Sequence, residues 1–266
     1  MLRFVCFGSG SSGNCYCLTT ENGSLLIDAG IGIRALKRGL FTYGISAASI
    51  HAVVVTHDHA DHIKAVGAIS NERQLPVYTT AEVHQGIARN YCVSKKIPVK
   101  LQHNVSPGQT FQVADFAITP FSVPHDSTDC VGYRIVADGK TFVLITDAGR
   151  VTPEMAQRVA EANYLVIEAN HDIEMLEQGP YPQHLKHRIA SDTGHLSNEA
   201  CAQTLVENLT PEIRHIWLCH LSEENNHPEL ARKTVESALR SHGIIVGADL
   251  ELDVLRRKTP TGPFEL

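Results

Sequence analysis

A dense run of metal-ligand side chains directly follows an apolar run in this 266-residue chain. The apolar run, Val53-Val54-Val55-Thr56, predicts a buried strand, and His57-Asp58-His59-Ala60-Asp61-His62 follows it without a gap. In the extended segment after the strand, His57 and His59 project to the same side and can bind one cation. The adjacent Asp61-His62 pair can turn towards a second cation. A solvated polar loop or a helix cap is the alternative interpretation of this run.

Three further candidate ligands, His125, Asp147 and His220, each follow a mostly apolar run. This placement is expected of ligands carried at the ends of core strands. Taken singly, each residue is more typical of a cap or a surface group, so the prediction depends on the set. Imidazole and carboxylate donors together suit zinc and also tolerate manganese or iron. We therefore expect two divalent metal ions, with zinc or manganese favoured and iron as an alternative.

Short strand patterns and helical patterns interleave along the chain, which predicts an α/β protein with two mixed sheets and helices outside them. The predicted strands are 3–7, 15–20, 24–27, 52–56, 77–79, 110–113, 116–121, 131–136 and 141–146. The predicted helices are 33–42, 61–71, 81–90, 153–161, 171–178, 197–208 and 228–241. We find no internal repeat and no long linker, so we expect a single domain over residues 1–266.

The composition limits the cellular location and the binding partners that we expect for this protein. No apolar run approaches the roughly 20 residues that a membrane span needs, and the first residues lack the apolar segment of a signal peptide. The seven cysteines are an odd number at irregular spacing, which is typical of reduced, packed thiols. We expect a cytoplasmic protein without a membrane partner. The net charge of −6 disfavours indiscriminate nucleic-acid binding, so any polyanion would bind at a local site.

The order of these groups, HxHxDH and then His125, Asp147 and His220, resembles that of the metallo-β-lactamase superfamily of binuclear hydrolases. The resemblance implies a four-layer αβ/βα sandwich with the site at one edge. It also implies the ligand sets: His57, His59 and His125 for one metal, Asp61, His62 and His220 for the other, and Asp147 bridging both. The run Leu25 to Gly30 is similar to an early turn of the superfamily, in which Asp28 would support a ligand from behind. An ordinary turn or a helix cap is the alternative for Asp28.

Within the superfamily, the sequence is most similar to the WalJ/YycJ-like group of bacterial proteins linked to exonuclease action on DNA ends. The matching segments span most of the chain and are residues 8–14, 56–62, 123–126, 168–172, 179–182, 194–198 and 220–226. The segments around Glu168 and His195 also resemble those that serve phosphodiester cleavage in ribonuclease Z.

Phosphodiester cleavage assigns roles to three of these residues. Two cations can activate a water and shield the charge that develops on phosphorus. The leaving oxygen then needs a proton, which His195 can donate if Glu168 orients it and keeps it protonated. Asp61 would partner the attacking water, as a metal ligand or a proton acceptor. The alternative for His195 is a structural neighbour of a helix start, because Ser197 is a typical cap.

Candidate substrate contacts lie in two segments. His184, Lys186 and Arg188 place cations and imidazole within five residues, although a solvated helix face explains each of them equally well. Ser12 and Asn14, in a glycine-rich segment, can present donors to a phosphate, with a simple turn as the alternative. The segment lacks the Gly-Lys-Ser/Thr of a nucleotide P-loop, which disfavours NTP binding. The resemblance adds one further candidate, which is His171.

The sequence therefore predicts a metal-dependent phosphodiesterase that acts on DNA ends, as a 5′-to-3′ exonuclease by resemblance. Only about 70 residues separate Asp147 from His220, whereas the inserted domain of ribonuclease J-type enzymes would need on the order of 100 more. RNA processing is thus less favoured. One alternative is a small-molecule hydrolase, either a cyclic-phosphate phosphodiesterase or a glyoxalase II-like thioesterase. The segment around His125 lacks the glyoxalase motif Gly-His-Thr-Pro-Gly-His. Another alternative is a non-catalytic binding protein, and the oligomeric state stays open.

Overall fold

Fourteen strands form two sheets of seven strands each in the computed structural model, which describes residues 1–266. The strands are β1 (Arg3–Gly8), β2 (Cys15–Thr20), β3 (Gly23–Ile27), β4 (Ile50–Val54), β5 (Val77–Thr79), β6 (Gln102–Asn104), β7 (Phe111–Val113), β8 (Phe116–Ser122), β9 (Val131–Ala137), β10 (Lys140–Ile145), β11 (Tyr164–Glu168), β12 (His215–Cys219), β13 (Glu251–Val254) and β14 (Thr261–Glu265). The helices are α1 (Ile33–Thr42), α2 (Ala60–Ile63), α3 (Val66–Arg73), α4 (Ala81–Arg89), α5 (Pro153–Glu161), α6 (Ile173–Gln178), α7 (Gln183–Ile189), α8 (Asn198–Asn208) and α9 (Pro228–Ser241). A short 3₁₀ turn spans Val99–Leu101.

The two sheets are mixed and share one pattern of strand directions. The first sheet has the order β14-β1-β2-β3-β4-β5-β6, and the second has the order β13-β12-β11-β10-β9-β8-β7. The strands from β14 to β3 pair antiparallel, and those from β3 to β6 pair parallel. The strands from β7 to β10 likewise pair antiparallel, and those from β10 to β13 pair parallel. The predicted pair of mixed sheets is confirmed.

The core has three layers of apolar contact, and the alternation of side chains along the strands builds them. In β3, Leu25 and Ile27 join a cluster between the two sheets, whereas Leu26 joins a cluster under α1, α3 and α4. In β12, Trp217 points between the sheets, and its neighbours pack under α5, α8 and α9. Strands that are buried on both faces need continuous apolar runs, as observed here. The result is the predicted αβ/βα sandwich with helices on both outer faces.

Most predicted elements are present, and the differences have local causes. The predicted helix 61–71 is two helices, α2 and α3, because the backbone N–H of Ala65 donates to the carbonyl of Ala29 and so leaves the helical pattern. The helix α7 and the short strands β6, β13 and β14 were not predicted. The strand β6 carries only Gln, His and Asn, and pairing with β5 forms it rather than an apolar pattern. No helix has both the length and the apolar character needed to cross a bilayer.

The two sheets change their pairing direction at corresponding strands. Both β3 and β10 are the strands at which their sheets change from antiparallel to parallel pairing. The same tripeptide sequence follows both strands. It is Asp28-Ala29-Gly30 after β3 and Asp147-Ala148-Gly149 after β10. The two aspartates have nearly the same backbone angle, with φ of 57° and 56°. The chain therefore turns in the same way after these two strands, one in each sheet.

Candidate metal centre

The predicted ligand residues meet at one edge of the sandwich, where loops follow β4, β8, β10 and β12. The first sheet supplies the residues from His57 to His62, and the second supplies His125, Asp147 and His220. Their ligand atoms form groups within which all separations are below 4.8 Å. The groups are His57, His59 and His125; His57, His62 and Asp147; Asp61, His62 and His220; and Asp147, Glu168, His195 and His220.

The first group is a triad of imidazoles. His59 Nδ1 lies 3.2 Å from His125 Nε2, and the ring of His57 lies 4.8 Å and 4.9 Å from the rings of His59 and His125. His125 Nδ1 is 3.1 Å from the carbonyl oxygen of Gly194, to which it can donate. That hydrogen bond leaves the Nε2 lone pair of His125 free to face the other two rings.

The second group surrounds two carboxylates. Asp61 Oδ2 lies 3.5 Å from His62 Nε2 and 3.4 Å from His220 Nε2. Asp147 lies between the two groups, with Oδ2 at 3.2 Å from His62 Nε2 and Oδ1 at 3.8 Å from His125 Nε2. The structure therefore brings all seven residues together at this edge.

Three residues of the site adopt left-handed backbone angles at strand ends. Asp28, Asp147 and His220 have φ of 57°, 56° and 53°. This conformation costs an L-residue roughly 1–2 kcal/mol. It turns the chain sharply after β3, β10 and β12, so that each side chain stays in the edge cluster instead of following the strand. Strain of this kind concentrates at functional sites.

Asp28 is fully buried and supports the histidine run from behind. Its carboxylate accepts hydrogen bonds from Thr56 N at 2.8 Å and from Thr56 Oγ1 at 2.9 Å, and it lies 2.8 Å from His62 Nδ1. A proton on His62 Nδ1 leaves the Nε2 lone pair to face Asp61 and Asp147. Asp28 does not cap the following helix, because the N-cap residue of α1 is Gly32.

Glu168, at the end of β11, organises the other side of the cluster. Its Oε1 lies 2.8 Å from His195 Nδ1 and 2.9 Å from His220 Nδ1. Its Oε2 accepts backbone hydrogen bonds from Ala148 at 2.9 Å and from Leu196 at 3.1 Å. Both imidazoles therefore point their Nε2 atoms away from Glu168. Ser197 also caps α8, since its hydroxyl accepts from Ala200 N at 3.1 Å, so the helix start and the site share this loop.

Carboxylates and imidazoles in the cluster shift each other's pKa values. The pKa of Glu168 is lowered, and those of His195 and His220 are raised. Burial raises the pKa of Glu168, but the neighbouring imidazoles outweigh burial and bring it to about 2. Burial lowers the pKa of His195, and Glu168 and Asp147 outweigh that effect and raise it. Burial also lowers the pKa of His220, but the negative charge of Asp147 outweighs burial and raises this pKa to about 10. For His57, burial dominates and holds the pKa well below its usual range, which favours the neutral imidazole.

Two orphaned atoms test whether these residues fit metal ions. His57 Nε2 and His220 Nε2 are both buried and have no hydrogen-bond partner. Such atoms are rare, and a bound cation is one way to satisfy them. The donors around them are imidazole nitrogens and carboxylate oxygens, the set that binds zinc, manganese and iron. The residues present therefore fit a pair of divalent cations.

The predicted substrate contacts divide into exposed and buried residues. Ser12 and His184 are exposed, and Arg188 forms a two-point ion pair with Asp126, the residue after His125. The ammonium of Lys186 donates to the carbonyl oxygen of Glu177 at 2.6 Å. Three of these residues are exposed, and Lys186 is half-buried.

Asn14, predicted as a phosphate contact, points into the protein. Asn14 is fully buried, and its amide nitrogen lies 3.1 Å from Asp61 Oδ2 and 2.9 Å from His62 Nε2. The tight turn from Gly10 directs this side chain inwards, because Asn14 Oδ1 accepts from Gly10 N at 2.9 Å. Asn14 therefore positions Asp61. His171, at 3% exposure, is also almost out of reach of solvent, and its Nδ1 has no partner.

Sequence reasoning missed two residues that hold the site together. The hydroxyl of Ser9 accepts the backbone N–H of His220 at 3.0 Å, which fixes the strained end of β12. The hydroxyl of Thr146 donates to Asp147 Oδ2 at 2.6 Å. Ser9 stands 211 positions from His220, so no local pattern reveals the contact. Thr146 directly precedes the candidate ligand Asp147, and this adjacency is the sequence signal that could have identified it.

Comparisons with known proteins agree with this geometry. A family model described as a beta-lactamase superfamily domain matches residues 24–220. The chain is 35% identical over 260 residues to exodeoxyribonuclease YycJ of Bacillus anthracis, covering 98% of this chain and 97% of that protein. It is 36% identical over 250 residues to exodeoxyribonuclease WalJ of Streptococcus pneumoniae serotype 2, covering 94% and 93% of the two chains.

Solved structures share the fold at low sequence identity. Zinc-bound PqqB from Methylobacterium extorquens matches with a TM-score of 0.74 at 18% identity, over 98% of this chain and 100% of that chain. The metallo-beta-lactamase fold protein YhfI from Bacillus subtilis matches with a TM-score of 0.71 at 19% identity, over the same shares. With the family model and the near full-length relatives, these matches show that the chain belongs to the metallo-β-lactamase superfamily and, within it, to the group of YycJ and WalJ.

Proposed function

We propose that this protein is a metal-dependent phosphodiesterase that removes nucleotides from DNA ends as a 5′-to-3′ exonuclease. The observation that carries the proposal is the convergence of a seven-residue His/Asp cluster with the Glu168–His195 pair at one edge of the fold. The near full-length similarity to two exodeoxyribonucleases supports DNA as the substrate. The 5′-to-3′ polarity rests on the resemblance to this group alone.

Two divalent cations fit the cluster, with zinc or manganese favoured by the mixture of imidazole and carboxylate donors and iron as an alternative. His57, His59 and His125 would hold one cation, and Asp61, His62 and His220 would hold the other. Asp147, between the groups, would contact both. When bound, such cations activate water near neutral pH and shield the negative charge of a phosphodiester.

The residues around the cluster supply proton transfer. Asp61 Oδ2 lies at the open side of the second group, where this carboxylate can accept the proton of the attacking water. His195 holds a proton on Nδ1 against Glu168 and presents Nε2 to the leaving oxygen. Glu168 raises the pKa of His195, which favours the imidazolium, and the proton on Nε2 is the one that this imidazolium would give to the leaving oxygen.

The exposed residues around the cluster would bind the substrate. Arg188, held beside His125 by Asp126, would contact a phosphate, and Ser12, His184 and Lys186 would extend that contact. His171 would act from beneath this surface. We place the protein in the cytoplasm, where DNA is available and where its seven unpaired cysteines would stay reduced.

The test is to incubate metal-loaded protein with end-labelled duplex DNA, single-stranded DNA, RNA and a chromogenic diester. Release of terminal nucleotides from DNA is expected, and turnover of the diester with DNA left intact would instead assign a small-molecule hydrolase. Two variants separate the roles within the site. His59→Ala should lose metal and rate together, whereas His195→Ala should keep metal and lose rate by about 10²–10⁴-fold. Equal metal depletion in both variants would contradict this division.

A further inference from the structure

An aromatic side chain stands almost free of the protein beside the proposed metal centre. Tyr91, in the loop after α4, is 95% exposed, although Phe, Tyr and Trp usually bury most of their surface. One exposed aromatic residue needs no explanation by itself. Its surroundings distinguish it, and we call residues 89–96 the Tyr91 loop.

The Tyr91 loop is attached to the histidine run. Asn90 Nδ2 donates to the carbonyl oxygen of Asp58, which lies between His57 and His59, at 2.9 Å. In α4, Gly86 packs so closely on the Asp58 side chain that a Cβ there would lie 1.9 Å from Oδ2. The loop that carries Tyr91 therefore contacts Asp58, the residue between two of the proposed ligands of the first cation.

The other end of the loop is also fixed. Asn71 Nδ2 donates to the carbonyl oxygen of Lys96 at 2.7 Å, and the Lys96 ammonium donates back to the carbonyl oxygen of Asn90 at 2.7 Å. A Cβ on Gly67 would lie 1.6 Å from the carbonyl oxygen of Lys95, so α3 supports the loop from below. A loop closed on itself and seated on two helices holds Tyr91 out in solvent.

Three basic residues flank Tyr91 in the sequence. Arg89, Lys95 and Lys96 are exposed and form no ion pair, in a chain whose net charge is −6. Lys64, which follows α2, is likewise unpaired and lies near the same loop. Burial raises the pKa of the Cys92 thiol, and the nearby charges of Lys96 and Lys64 oppose that rise.

We propose that Tyr91 is a stacking platform for a base of a single-stranded DNA end, and that the cations of the Tyr91 loop contact the adjoining phosphates. Aromatic rings flanked by positive charge bind single strands, because every base has a face to stack and every nucleotide has a phosphate to pair. The attachment through Asn90 and Asp58 would hold the end in register with the metal centre. This inference rests on the proposed function, and it adds a second contact point for the same substrate.

The test uses the fluorescence of a tryptophan placed at the platform. Trp217 is the only other tryptophan and is fully buried, so the emission that changes in Tyr91→Trp would report position 91. The probe is a short oligothymidylate with phosphorothioate linkages that resist cleavage. We expect quenching of the Tyr91→Trp emission on titration, and a weaker titration when Lys95→Ala and Lys96→Ala are added.

An abasic version of the oligonucleotide separates stacking from charge. Loss of the bases should weaken binding roughly fivefold or more in the natural protein and in Tyr91→Phe, but should change little in Tyr91→Ala. Phe41→Ala, which removes another exposed aromatic ring from α1, is the matched control and should behave as the natural protein. Absence of quenching, or equal sensitivity of Tyr91→Ala and Tyr91→Phe to base removal, would overturn the inference.

The outcome is separable from that of the proposed function. Stacking is measured as binding, and exonuclease action is measured as nucleotide release by the natural protein. DNA cleavage without quenching at position 91 would refute the platform alone. Base-dependent quenching without DNA cleavage would support the platform and refute the exonuclease.

Discussion

Replacing Glu168 by glutamine tests how the proposed centre is oriented. The carboxylate accepts from two imidazoles through Oε1 and from two backbone N–H groups through Oε2. An amide of the same shape offers one acceptor and one donor, so it satisfies only one of the two pairs. The backbone N–H groups of Ala148 and Leu196 can act only as donors. A neutral imidazole can move its proton between Nδ1 and Nε2, so its Nδ1 can become an acceptor. The amide carbonyl should therefore face the backbone, and the NH₂ group should face His195 and His220.

In Glu168→Gln, the amide NH₂ group would change the tautomers of both His195 and His220. Each Nδ1 would have to accept a hydrogen bond, which moves the proton of a neutral imidazole to Nε2. A proton on His220 Nε2 removes the lone pair that a cation needs. Changes to groups that orient metal ligands typically lower metal affinity or activity about 10–100-fold, which is about 1.4–2.7 kcal/mol. Loss of an oriented, protonated His195 should lower the rate by a further 10²–10⁴-fold, the usual contribution of a general acid.

The pH profile gives a second readout. The rate should fall at high pH as His195 loses its proton, and Glu168 raises the pKa at which this happens. Glu168→Gln removes that support, so the alkaline limb of the rate profile should move to lower pH. Glu72→Gln, which alters exposed ion pairs with Lys37 and Arg73, is the control for a lost carboxylate.

Metal content by elemental analysis and rate against pH on the cleavable substrate are the measurements. Full metal content in Glu168→Gln, a rate within about threefold of the natural protein, and an unmoved alkaline limb would refute the reasoning, since a general acid contributes on the order of 10² or more.

Two further predictions concern stability. Gly30→Ala should destabilise the fold by about 3 kcal/mol or more in urea unfolding, because its Cβ would lie 1.5 Å from the carbonyl oxygen of Asp61. Gly32→Ala, with nothing within 4 Å of its Cβ, should cost only a fraction of that, and equal midpoints for the two variants would contradict the close approach. Removal of divalent metal with a chelator should lower the melting temperature, because a cation at 100 times its Kd stabilises the native state by about 2.7 kcal/mol. An unchanged melting temperature would count against a bound metal.

The sequence predicted the cluster because its ligands follow strands that are legible as apolar runs. The run from Val53 to His62 contains both the strand and four candidate ligands. Parallel pairing of β10, β11 and β12 brings Asp147 and His220 to one edge. The strand β8, two antiparallel steps from β10, runs in the same direction as β10 and brings His125 to that edge. Local patterns decide such elements, since a strand buried on both faces has little freedom in composition.

The sequence could not predict contacts that only the packing creates. Asn14 lies in a glycine-rich segment that suggests phosphate binding, and the decisive fact is the inward turn that places it against Asp61. The support of His220 by Ser9 joins the two ends of the chain, and the strand β14 forms only because β1 offers it an edge. Pairings across such sequence distances leave no periodic trace.

The matching Asp-Ala-Gly corners place the proposed centre on the seam between the two sheets. Each predicted cation would take two ligands from the first sheet and, with the shared Asp147, two from the second, so metal ions would join the two halves of the sandwich. Metal binding and the packing of one sheet against the other would then be thermodynamically coupled. A brief separation of the halves would release the ions before either sheet unravels.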